Sequence, residues 1–424
     1  MKRIAVTLAL LLSACQTGSQ SALGPAATDD HQPVTFNNQV VRIFQRNCQT
    51  CHRPGEVAPF SLTNYKDAHA RRDDIIEAVE SRYMPPWKAV PGYGEFSGVR
   101  RLSDDDIRLI ARWVADGAPE GEARDLPSPR SFPSGWTLGP PSAVLAMEEP
   151  FTVPPRTKDI YRCFVVPINI PGEWRMIRAS EVLPGNRKVV HHVQTYLDVT
   201  GRSVELDQAE PGPGYTCFGG PRFDSFGGLG GWAPGYAPIE IPPGVAWGIP
   251  PGAKLVMQVH YHNPGDTPET DVTRVGIHFT SGPFDRRLAL VRAFAWNFSI
   301  PAGAEREIVK ASTTLKDDVE ALSVHAHMHL LGRAMTVTAH LPDGTTKPML
   351  KIDDWDFDWQ IRYNYTQPMP LPAGTRVEAE CVYDNSAGNL RNPSKPPRVV
   401  SSGFETTDEM CLASVLGTSR LARR

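Results

Sequence analysis

Two hydrophobic periods divide the chain. In its first part apolar residues recur three and four positions apart: Val40, Val41, Ile43 and Phe44 within Asn38–Asn47, then Ile75, Ile76 and Val79 within Asp67–Ser81. That is the spacing of helices burying one face. A third helix is predicted from Ser103-Asp104-Asp105-Asp106, a hydroxyl cap followed by acids, through Ile107, Ile110, Trp113 and Val114. Gly117 and Pro119 stop it. From residue 143 the pattern changes to short strands such as Leu255–Val259 and Met335–Ala339, separated by Pro-Gly and Asn-Pro turns. Between the two regions, Pro127 to Pro141 is rich in Pro, Ser and Gly and reads as a linker. The prediction is a mainly β protein preceded by a small all-α unit.

Composition sharpens this. Gly 35 and Pro 40 suit a turn-rich β fold. A length of 424 residues allows two to four domains at about 100–200 residues each. The net charge of −3, without a polybasic stretch, argues against nucleic acid as the main partner. With 21% charged and 41% hydrophobic residues, wholesale disorder is excluded.

Lys2 and Arg3 precede an apolar run from Ile4 to Leu12, too short to span a bilayer and patterned as a signal peptide. It ends in Leu12-Ser13-Ala14-Cys15, which resembles a bacterial lipobox. That resemblance implies a signal over 1–14, a lipidated Cys15, a tether over 15–34 and a periplasmic location. The membrane would be reached by the lipid anchor only, and Gln16 points to the outer membrane.

Cys48-Gln49-Thr50-Cys51-His52 has the spacing that c-type haem attachment requires. Two thiols one turn apart can add to both vinyl groups, and His52 then faces the iron. A redox dithiol would not need the histidine, and no second cysteine pair lies nearby to complete a zinc site. Residues 35–122 resemble a small class I cytochrome c. Met84, on the Pro-rich turn Tyr83-Met84-Pro85-Pro86-Trp87, is the expected second axial ligand, with His69 as the competing choice.

The β region gathers histidines in three places: His191-His192, His260-Tyr261-His262 and His325-Ala326-His327-Met328-His329. Alternate residues on a strand share a face, so His-x-His offers two imidazoles to one ion. Adjacent histidines point apart, so His191 and His192 can share a metal only where the strand bulges or ends. Imidazole suits Zn, Cu, Fe and Ni, while a thioether such as Met410 favours Cu(I).

Taken together, His191-His192, Val259–Pro264, His327–Arg333 and Asp408-Glu409-Met410-Cys411 resemble the copper type II, ascorbate-dependent monooxygenases. The resemblance implies two antiparallel, jelly-roll-like β-sandwich domains, at 143–283 and 284–424 after a linker at 123–142. It implies two coppers: one on His191, His192 and His260 for electron transfer, one on His327, His329 and Met410 for oxygen. The implied reaction is hydroxylation of a C–H bond of a small organic substrate with O2. Electrons would come from ascorbate or from the tethered haem, itself refilled by a periplasmic donor.

His262 and His325 share faces with these ligands and are expected to support them, and His278 and His340 to be structural. Cys163, Cys217, Cys381 and Cys411 allow three pairings. The resemblance favours Cys381–Cys411, which leaves Cys163–Cys217. It does not carry the substrate: where peptide-amidating members hold a carboxylate, this chain has Leu412 and Ser414. Two other classes stay open, an electron relay without hydroxylation and a copper-binding lipoprotein.

Overall fold

The structure is a computed structural model, described here for residues 33–133, 135–169 and 173–421. Cys15 and the signal segment lie outside the described residues. Among the described residues no helix is long and apolar enough to cross a membrane.

The first unit is helical. A π-helical turn at Phe36–Val40 runs into an α-helix at Val41–Asn47. The predicted helix over Asp67–Ser81 is instead two, Tyr65–Ala70 and Arg72–Glu80. Arg71 leaves helical geometry at φ −117°, ψ 14°, and its N–H tightens onto Ala68 O, so one residue ends the first helix and begins the second. The helix at Asp104–Ala115 is capped as its sequence predicts, Ser103 Oγ accepting from the Asp106 amide at 3.0 Å. Phe36, Phe44, Ile110 and Trp113 form its apolar centre.

Four larger sheets follow. One orders the strands Ala143–Ala146, Arg274–Phe279, Arg175–Leu183 and Gly248–Ile249, with Ile239–Glu240 added beside the third. The sheet facing it orders Tyr215–Thr216, Thr157–Pro167, Lys254–Asn263, Val190–Asp198 and Gly231–Trp232. A core including Phe164, Ile177, Leu197, Leu255 and Tyr261 lies between them.

The second pair comprises a five-stranded sheet (Arg362–Leu371, Val319–His327, Cys411–Arg420, Arg286–Ala295, Val245–Ala246) and a four-stranded one (Glu307–Thr314, Arg376–Tyr383, Gly332–His340, Thr346–Ile352). Alternation is strict where it matters: Val377, Ala379, Cys381 and Tyr383 are buried, and the residues between them are not. The Cys381–Cys411 disulfide ties the two sheets together, and Cys163–Cys217 staples neighbouring strands of one sheet in the first pair.

Residues 87–97 of the helical unit cross onto the second pair. Ala89 bridges to Ile352 and Phe96 to Tyr365, so one segment laces the edge strand of each sheet. Backbone bonds of 2.8 Å join Val90 to Lys351, Ser97 to Asn364, and Thr366 to Glu95. Trp87, Ala89 and Phe96 are members of the second core.

Candidate metal centres

The strands at Val190–Asp198 and Lys254–Asn263 pair with His192 opposite His260. The next pair is Val190 with Tyr261, so His191 is the extra residue of a bulge. A bulge is what two adjacent histidines need in order to turn toward one point. His191 Nδ1 lies 3.2 Å from both His192 Nδ1 and His260 Nδ1. The three form a compact group able to hold a metal ion.

Behind this group, His260 Nε2 faces Asp159 Oδ1 at 2.7 Å, and Tyr161 stacks on the His260 ring at 4.1 Å. With Nε2–H donated to the carboxylate, Nδ1 keeps its lone pair for an ion. Burial drives His192 down to about 3 and His260 to about 4, so both imidazoles are neutral at pH 7. The neighbouring histidines push the same way.

The second group lies at the end of the Val319–His327 strand, where Val324 and Ala326 face the core and His325 and His327 face away from it. His327 and His329 ring centroids are 5.0 Å apart. Gln360 fixes the first ring: its Nε2 donates to Phe357 O at 2.9 Å, which turns Oε1 toward His327 Nδ1. His329 Nδ1 donates to Asp408 O at 3.1 Å. Both rings therefore present Nε2, the opposite nitrogen from the first group. Burial holds His327 at about 3.

Met410 is buried, and the neighbouring Glu409 carboxylate ties it to His329. It accepts from the amides of His329 (2.8 Å), Leu331 (2.6 Å) and Met410 (3.3 Å). Burial pushes the carboxyl up to about 8 against the pull of these amides. An unmet buried amide costs about 1–3 kcal/mol. Glu409→Ala is therefore expected to destabilise the fold by about 2 kcal/mol, read from the denaturant midpoint, and Glu409→Gln by less.

His262 Nδ1 donates to Lys158 O at 2.7 Å and is exposed, while His325 stacks at 6.4 Å from His327. His278 approaches Arg178, and His340 approaches Glu378.

In the helical unit Cys48 and Cys51 are free thiols, while the other four described cysteines are bonded. The Cys51 and His52 amides both donate to Cys48 O, which closes one turn and sets the thiols on it. His52 Nδ1 meets Phe60 O at 3.2 Å, leaving Nε2 available. Met84 lines a small cleft with Val79, Trp87, Leu102 and Ile107. His69 packs instead on Tyr65, at 5.3 Å. By their chemistry Cys48, Cys51 and His52 are the donors that a c-type haem would take, while Met84 lies in a cleft that none of these three lines. Glu56, four residues past His52, takes a paired 2.7 Å contact from Arg187 Nη1, which precedes the His191 bulge by four residues.

Comparison with known proteins bears on the β units. Residues 297–416 match the family model described as copper type II ascorbate-dependent monooxygenase, C-terminal domain. That span contains His327, His329 and Met410. The match supports a copper monooxygenase-like function in general. DBH-like monooxygenase protein 1 of Homo sapiens is 24% identical over 356 residues, covering 76% of this chain. The chain spans about half, 56%, of that relative's length.

Among solved structures, the major capsid protein P2 of bacteriophage PM2 is 9% identical, with a TM-score of 0.26. It covers 66% of this chain and 98% of its own. The VP2 subviral particle of infectious bursal disease virus is 11% identical, with a TM-score of 0.21, covering 67% and 75%. Likeness at these scores carries no argument.

Three elements had no signal in the sequence. Asp159 and Gln360 lie 101 and 33 residues from the imidazoles they orient. Glu409 stands next to Met410, but nothing in the sequence directs its carboxylate to the His329 amide.

Proposed function

We propose that this chain is a copper-dependent monooxygenase that hydroxylates a C–H bond of a small organic substrate with O2. The convergence of the three Nδ1 atoms at His191, His192 and His260 carries the reading. The family match over the segment holding His327, His329 and Met410 supports it. Copper bound at the two groups would supply one-electron transfer at the first and oxygen activation at the second. The chain's part is to hold the imidazoles neutral and oriented. Burial keeps them neutral, while Asp159 orients His260, Gln360 orients His327, and the Asp408 carbonyl orients His329.

A haem held by Cys48, Cys51, His52 and Met84 would supply single electrons, alone or beside ascorbate. A periplasmic partner would refill it. Lipidation at Cys15 would anchor the protein to the outer membrane.

The test is oxygen uptake by the full chain, loaded with copper and haem and supplied with ascorbate, across a panel of small organic substrates. Uptake that depends on substrate, with one labelled oxygen atom recovered in the product, is expected. No uptake while electrons still pass from haem to copper would favour a relay that does not hydroxylate.

A further inference from the structure

The loop at 355–361 touches both the helical unit and the second histidine group. Tyr83, the residue before Met84, meets the Trp359 ring edge-on with centroids 6.1 Å apart. Trp359 is joined covalently to Gln360, and Gln360 Oε1 is bonded to His327 Nδ1. In the same loop the Phe357 ring stands edge-on to His329 at 5.9 Å, and Trp355 Nε1 donates to His329 O at 3.1 Å.

We propose that Tyr83, Trp359 and Gln360 couple the distal loop of the helical unit directly to the His327–His329–Met410 site. An electron can then enter that site without first passing through His191, His192 and His260. This rests on the reading that haem and copper occupy the two places. The step is a single electron transfer: ferrous haem becomes ferric and Cu(II) becomes Cu(I), with no proton or bond exchanged. Its path is Met84–Tyr83 by bonds, one ring contact, Trp359–Gln360 by bonds, and one hydrogen bond. The contact between Glu56 and Arg187 joins the helical unit to the segment four residues before His191.

The experiment uses the full chain carrying His191→Ala and His260→Ala, which removes the first group. Covalent haem and one bound Cu(II) are verified first; absence of either overturns the underlying reading and the proposal with it. The haem is then reduced by a substoichiometric anaerobic pulse. Its absorbance is followed together with the Cu(II) paramagnetic signal. Haem reoxidation at a rate independent of protein concentration, matched by loss of the Cu(II) signal, is expected.

Adding Trp359→Leu is expected to slow this transfer about tenfold by opening a gap in the contiguous path. Trp359→Phe, which keeps a ring against Tyr83, should restore most of it. The haem and copper midpoint potentials should be unchanged in both. A haem that stays reduced in the first-site variant, or a rate indifferent to Trp359→Leu, overturns the proposal.

Discussion

His260→Ala and His329→Ala are each expected to remove one copper per chain, leave the other bound, and abolish substrate-dependent oxygen uptake. At the first group the reason is geometric. Three Nδ1 atoms converge because His191 bulges out of a strand otherwise in register with Lys254–Asn263. Removing His260 takes away one of three imidazoles and leaves Asp159 without its partner. Losing a group that merely orients a ligand costs about 10–100-fold in metal affinity. Loss of the ligand itself should then cost at least about 100-fold. Asp159→Asn is expected at the low end of that range, because the Asp159 side chain is 64% exposed and water can replace it. Titrating copper into each variant, with paramagnetic spectra to say which site remains, checks the assignment. Two coppers retained in His260→Ala would contradict it.

What the sequence revealed depended on how far apart the partners lie. The capped helix at Asp104–Ala115 is legible because cap and acids are neighbours in the chain. So is the Lys254–Asn263 strand, whose turns flank it. The condition on His191 and His192, that they share an ion only across a bulge, follows from strand geometry, and the structure has the bulge. The pairs Cys163–Cys217 and Cys381–Cys411 agree with the family resemblance and could not be fixed from four cysteines alone.

Other features depend on contacts between distant segments. Asp67–Ser81 carries an unbroken helical period, and the break at Arg71 is a backbone choice with no Gly or Pro to announce it. Residues 87–97 fall inside the span expected to form the small helical unit, 35–122, yet they bond to strands more than 250 positions away. Nothing local in Trp359 or Gln360 distinguishes them from other residues of a surface turn.

Trp87→Ala is expected to cost about 3–5 kcal/mol, a loss the β units share although Trp87 lies in the helical segment. The Trp87 ring is 8% exposed and packs edge-on against Tyr363 at 5.1 Å, while Phe96 stacks on Tyr365 at 5.2 Å. Both tyrosines belong to Arg362–Leu371, the outer strand of its sheet. The backbone of 89–97 occupies hydrogen-bonding groups on that strand and on Thr346–Ile352, the outer strand of the facing sheet. The segment thus closes two open edges and plugs the core between them, a device that also blocks edge-to-edge association. Unfolding followed by the β-sheet signal should shift in Trp87→Ala. By contrast Leu126→Ala, at a half-exposed position outside any core, should change stability by no more than about 0.5 kcal/mol. Excising residues 35–122 should yield aggregated protein rather than a soluble β fragment, because two edges and an aromatic-lined core would open together. A soluble fragment with an unshifted transition would show the lacing to be dispensable. Until that is measured, the proposed electron supply by the helical unit is better tested by Cys48→Ala with Cys51→Ala, which would remove haem attachment and leaves Trp87 and Phe96 in place.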